Sequence, residues 1–69
     1  MDIQINGESR HFPDCAGPFT VAALVAELGY AGKRIAVELN GDIVPRSQHG
    51  EARLASGDRV EIVVAVGGG

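Results

Sequence analysis

The sequence predicts an α+β domain of two layers: one helix packed on one face of a mixed sheet of four to five strands. Three observations carry that prediction. Asn6-Gly7 and Asn40-Gly41 are each flanked by alternating apolar and polar residues, the strongest short-range hairpin signal. A single stretch, "TVAALVAELG", has helical periodicity instead. The run "RVEIVVAV" reads as a long final strand, and pairing it with the first strand makes the two parallel, with the helix in the crossover between them.

The first strand alternates, with Met1, Ile3 and Ile5 on one face and Asp2 and Gln4 on the other. A two-residue turn at Asn6-Gly7 sets Ile5 opposite Glu8, Ile3 opposite Arg10 and Met1 opposite Phe12. Glu8 and Arg10 then fall on the core face. This predicts an uncovered edge, the Arg10 stem packing while its head reaches water, with a register-shifting bulge as the competing reading. "PDCAGP" is a loop by its prolines and glycine. Thr20 is the expected N-cap, and Val21, Leu24, Val25 and Leu28 form one apolar stripe. Gly29 stands where a left-handed capping residue belongs. So short a helix persists only if its stripe is buried on the sheet.

In "RIAVELNGDIV", Ile35, Val37 and Leu39 point inward and Ala36 and Glu38 outward. Pro45 cuts the return strand short, which predicts an edge. "RSQHGEARLAS" reads as irregular, with Leu54 its single core anchor, and Gly57-Asp58 as the last turn. In the final strand Val60, Ile62, Val64 and Val66 face inward, while Arg59, Glu61, Val63 and Ala65 face outward. The first and last strands have the cleanest apolar faces and are placed centrally. The boundary expected is a folded domain over 1–66 and a flexible glycine tail over 67–69.

Composition limits the function. A chain of 69 residues makes one small domain. Its apolar share of 45% and charged share of 22% indicate a folded chain rather than a disordered one. A net charge of −3 and a pI near 5.1 argue against nucleic acid as a partner, and no run is long enough for a membrane helix. One cysteine permits no internal disulfide, and no signal-peptide pattern opens the chain; together these predict a cytoplasmic location.

Autonomous enzyme chemistry is not predicted. His11, Asp14 and Cys15 are close in sequence, but structural zinc takes four ligands in paired spacings, and His49 is the only other histidine. No metal site and no bound cofactor are expected, and a chain this small offers no obvious small-molecule pocket. The tail reads differently. Gly67, Gly68 and Gly69 carry no Cβ, so they can thread a narrow cleft and present a terminal carboxylate roughly 10 Å beyond the last strand. Fraying is the bland reading of such a tail. Against it, the glycines adjoin a well-patterned strand with no polar spacer, and that strand's outward face turns apolar at Val63 and Ala65.

The strings "ING", "TVAALVAELG", "IAVELNGDIVPRSQH" and "LASGDRVEIVVAVGGG" together resemble the ThiS family, the sulfur carriers of thiamin biosynthesis. The resemblance covers nearly the whole chain and rests on the joint occurrence of "AVELNG", "VPR", "GDRVEI" and a terminal Gly-Gly. The loop "PDCAGPF" is a little longer than the usual connection there. The resemblance implies the ubiquitin-like β-grasp fold. It also implies a mechanism centred on Gly69, whose carboxylate a ThiF-like adenylating enzyme activates by consuming ATP. A cysteine desulfurase or other sulfur donor then converts it to a thiocarboxylate, which thiazole synthase, the ThiG-like partner, uses as its sulfur source. Gly67 and Gly68 carry over as the slender neck. Alternation adds Val63 and Ala65 to the partner-binding set, with Ala36 beside them if the third strand neighbours the fifth, and Val66, the residue before the neck, is counted with them. Arg46 is either a pairing group for an acidic partner surface or a solvated turn residue. Three other readings share the fold: the small subunit of molybdopterin synthase, a ubiquitin-like protein modifier, and a plain interaction module with an idle tail.

Overall fold

The computed structural model describes residues 1–13 and 19–65. Within them the chain runs β1 (Asp2–Ile5), β2 (Glu8–His11), α1 (Val21–Glu27), β3 (Ile35–Leu39), β4 (Asp42–Val44), a 3-10 turn (Arg46–Gln48) and β5 (Arg59–Val64). The strands form one mixed sheet in the order β2-β1-β5-β3-β4, so the first and last strands are central. β1 and β5 pair in parallel, and β5 pairs antiparallel with β3. This is the β-grasp arrangement implied by the resemblance.

Both hairpins turn as their asparagine-glycine pairs require. Asn6 and Gly7 have φ of 50° and 85°, and Asn40 and Gly41 have 51° and 90°, the doubly left-handed geometry that matches strand twist. The registers follow from the two-residue turns, with Ile5 opposite Glu8 and Ile3 opposite Arg10. Met1 and Phe12 close that ladder through Phe12 N donating to Met1 O at 2.8 Å and the N-terminal amine donating to Phe12 O at 2.9 Å. No bulge intervenes among these pairs, and all four residues of β2 are exposed, so this is an uncovered edge. β4, stopped by Pro45, is the other edge.

The helix is held at both ends by capping hydrogen bonds. The amide of Val21 donates to Ala52 O at 2.9 Å, that of Ala22 to His49 O at 2.9 Å, and that of Ala23 to Thr20 Oγ1 at 3.2 Å. The first-turn N–H groups, which have no partner inside a helix, are thereby satisfied. At the other end Tyr30 N bonds Val25 O and Gly29 N bonds Ala26 O, a Schellman closure that needs the φ of +82° found at Gly29. Val21, Leu24 and Val25 are buried against Ile3, Ile5, Val37, Val60 and Ile62. At about 2 kcal/mol for each buried aliphatic side chain, this packing sustains a seven-residue helix that could not persist alone.

The segment between β4 and β5 departs from expectation. It is not irregular throughout, since Arg46–Gln48 forms a 3-10 turn and Arg53 bridges Thr20. Leu54 is buried, as expected, but Ala52 also packs against the core, so Leu54 is not the single anchor. The carbonyls this segment presents to the start of α1 fix its course. Phe12 and Phe19 meet with ring centroids 5.4 Å apart, pinning the chain on either side of residues 14–18.

Candidate functional surface

Alternation along β5 turns Val60 and Ile62 into the core and leaves Val63 facing away from the helix, 63% exposed. β3 lies beside β5 in a register that sets Ala36 opposite Val63 and Glu38 opposite Glu61. The neighbouring β4 sets Ile43 opposite Glu38, and Ile43 is 76% exposed. Ala36, Ile43 and Val63 therefore share the face that no helix covers. Ile43 belongs to this set as well, beyond the outward residues expected from the sequence. The two-residue turn at Asn40-Gly41 would have placed it opposite an outward Glu38.

At the end where β5 leaves the sheet, Ala65 N donates to Arg34 O at 2.9 Å. An open groove of about 310 Å³ lies here, with Ile35, Ala36, Val63 and Ala65 along it and Arg34 and Arg46 at its sides. The structure thus brings together four residues singled out from sequence: Val63, Ala65, Ala36 and Arg46. It adds Arg34, which had no signal of its own because only the β3–β5 pairing carries it there. Val66, Gly67, Gly68 and Gly69 lie outside the described residues. The expectation of no obvious pocket is corrected in one respect: the surface carries shallow grooves of about 300 Å³, open to solvent.

Of the candidate reactive residues, His11 and His49 lie among the described ones. His11 Nδ1 donates to Asp2 Oδ1 at 2.7 Å between β2 and β1, and both side chains are exposed. That hydrogen bond, aided by the His11 charge, holds the Asp2 carboxyl below its usual 3.8. Asp14 and Cys15 fall outside the described residues. His49 is half-buried, its Nε2 3.1 Å from Val44 O, a position that braces the chain after β4. Among the described residues no group of three or more His, Cys, Asp or Glu is placed to hold a metal ion. No helix among them is long and apolar enough to cross a membrane. An apolar floor with cationic sides is suited to holding another surface.

Comparison with known proteins gives this surface a context. The model of the ThiS family matches residues 3–69. The thiazole synthase of Paramagnetospirillum magneticum is 44% identical over 69 residues, all of this chain but 20% of that protein. The chain thus spans about a fifth of the length of the thiazole synthases it matches. An uncharacterised protein, ycf40, of Porphyra purpurea is 35% identical over 100% of this chain and 93% of its own. A crystal structure of the thiamine biosynthesis protein ThiS from Geobacter metallireducens superposes with a TM-score of 0.82 at 31% identity, covering 100% of both chains. A solution structure of a thiamine biosynthesis protein from the same organism gives 0.77 at 31% identity, over 100% of this chain and 88% of the other.

Proposed function

The chain belongs to the ThiS family, and from that membership we propose that it is a sulfur carrier of thiamin biosynthesis whose working group is the C-terminal carboxylate of Gly69. The observation that carries this reading is the extent of the family match, which runs from Ile3 through all three terminal glycines rather than stopping with the folded domain. The structure supports it by setting Val63 and Ala65, just ahead of the glycines in sequence, along an apolar groove.

The chemistry follows from the weakness of a carboxylate as an electrophile. A ThiF-like enzyme lets a Gly69 oxygen attack the α-phosphorus of ATP, releasing pyrophosphate and leaving an acyl-adenylate. The terminal sulfur of a persulfide, supplied by a cysteine desulfurase or another donor, then attacks the carbonyl carbon, and AMP departs. A thiol cleaves the resulting acyl disulfide, leaving as the mixed disulfide of the donor and freeing the thiocarboxylate. That anion is nucleophilic at neutral pH and passes its sulfur to thiazole synthase. Every catalytic group belongs to a partner; this chain supplies the carried atom, a neck of two glycines and a docking face. Cytoplasmic ATP and thiols make that compartment the working location. The thiazole synthases matched over this whole domain support the partnership with that enzyme.

Genetic rescue tests the reading. Expression of the chain should restore growth without thiazole to a strain lacking its own carrier, and deletion of Gly69 should abolish rescue while leaving the folded domain intact. Full rescue by the truncated chain would overturn it, and rescue of molybdopterin synthesis alone would transfer the carrier to that acceptor.

A further inference from the structure

The outward face of the sheet is electrically divided. Near the Asn40-Gly41 turn, Glu38 and Glu61 stand directly opposite each other across β3 and β5, and they line an open groove with Arg59. Like charges in register weaken a sheet rather than support it. At the other end, where β5 finishes, Arg34 and Arg46 flank the apolar groove. A second groove of about 280 Å³ continues past Arg46 to Lys33, His49 and Tyr30. Lys33 Nζ is held 5.9 Å from the centre of the Tyr30 ring. Among the described residues no Asp or Glu lines either of these two grooves.

Three of the six Lys and Arg of a chain with net charge −3 are therefore gathered at the end of the domain from which the tail continues. Among the described residues no carboxylate approaches Arg34, Arg46 or Lys33 closely enough for an ion pair. Cations left unpaired inside the fold are available to another molecule. Ala36 and Val63, apolar and exposed, separate the Glu38–Glu61 row from the cationic end, and exposed Ile43 flanks Glu38 on β4.

We propose that the strip of Lys33, Arg34 and Arg46 docks on a carboxylate-rich surface of thiazole synthase and orients the carrier so that its tail end arrives first. The inference rests on the carrier reading and deepens it. The strip adjoins the Val63 face, so one approach buries the apolar floor and pairs the cations together. The Glu38–Glu61 end repels the same acidic surface, so the reversed approach is disfavoured. A polar gradient of this kind acts mainly on the encounter rate, which steering can raise by tenfold or more at low salt.

The test is stopped-flow association of the full chain with its cognate thiazole synthase, at about 0.01 M salt and again at about 1 M, where the screening length falls from roughly 30 Å to roughly 3 Å. The wild-type association rate should fall at least tenfold over that range. R34E/R46E should associate at least tenfold more slowly at low salt and lose most of the salt dependence. R34K/R46K should behave as wild type, since the charge is retained. Both substituted positions are exposed, and amide NMR spectra of each variant would confirm an unchanged fold. An association rate in R34E/R46E equal to wild type, or a wild-type rate insensitive to salt, overturns the inference. Failure of the wild-type chain to bind thiazole synthase at all also overturns it. Thiocarboxylate formation, assayed on the same preparation, still reports separately on the carrier reading.

Discussion

Asn6 and Asn40 each occupy a hairpin turn and each reach across to β5. Ile62 N donates to Asn6 Oδ1 at 2.8 Å, and Asn6 Nδ2 donates to Ile62 O at 3.1 Å, so one side-chain amide imitates a further residue of β1. The imitation matters because β1 and β5 share only two registered pairs, Gln4–Arg59 and Ile5–Val60. Asn40 Oδ1 accepts from Arg59 N at 2.9 Å on the other side of the same strand. Asn6→Gly keeps the left-handed turn and removes the amide, so it isolates this contribution. It should cost about 1–2 kcal/mol, on the order of 5–10 °C in Tm for a domain of this size, measured by thermal unfolding. A glycine variant as stable as the wild type would show that the amide bonds add nothing beyond turn geometry. The Asp2–His11 pair makes a pH prediction at the same scale. The Asp2 carboxyl is lowered in the folded chain, so between its folded value and 3.8 the unfolded chain binds more protons. The pair's contribution is therefore present above pH 3.8 and is lost as pH falls through the lowered value. His11→Gln should move the Asp2 carboxyl midpoint upward in an NMR titration, and an unmoved midpoint would remove His11 as the cause.

β5 is the element on which fold and function meet. Its inward residues Val60 and Ile62 are core, and its outward Val63 is surface, so substitutions at alternate positions should separate stability from recognition. Val63→Asp should leave stability within about 0.5 kcal/mol of wild type, as exposed substitutions do. It should also slow adenylation by the activating enzyme at least tenfold, the loss expected when a charge enters a docking centre. Unchanged adenylation kinetics would remove this face from the interface. Most of what lies on β5 was legible in the sequence, because alternation decides which side chains share a face and Asn-Gly turns decide register. The 3-10 turn and the carbonyls of His49 and Ala52 that cap α1 were not, since backbone acceptors leave no trace in side-chain identity. The gathering of Lys33, Arg34 and Arg46 was equally hidden. Arg46 drew notice alone, and the β3–β5 pairing is what places Arg34 near it.

At the scale of the whole molecule, the described residues of a small α+β scaffold hold an exposed apolar patch, divide the outward charge, and end a central strand beside that patch. A β-grasp domain buries its helix stripe against one sheet face only, so the opposite face is free to serve as a docking surface. On the proposed reading, that surface serves to present Gly69 to the enzymes that activate and consume it. The most direct test is intact-mass and fragment-ion analysis after incubation with ATP, a cognate adenylating enzyme and a persulfide donor with thiol. The account predicts replacement of one oxygen by sulfur, confined to Gly69 and dependent on ATP. An unchanged mass under conditions that convert a known carrier, or sulfur found on Cys15 instead, would contradict it.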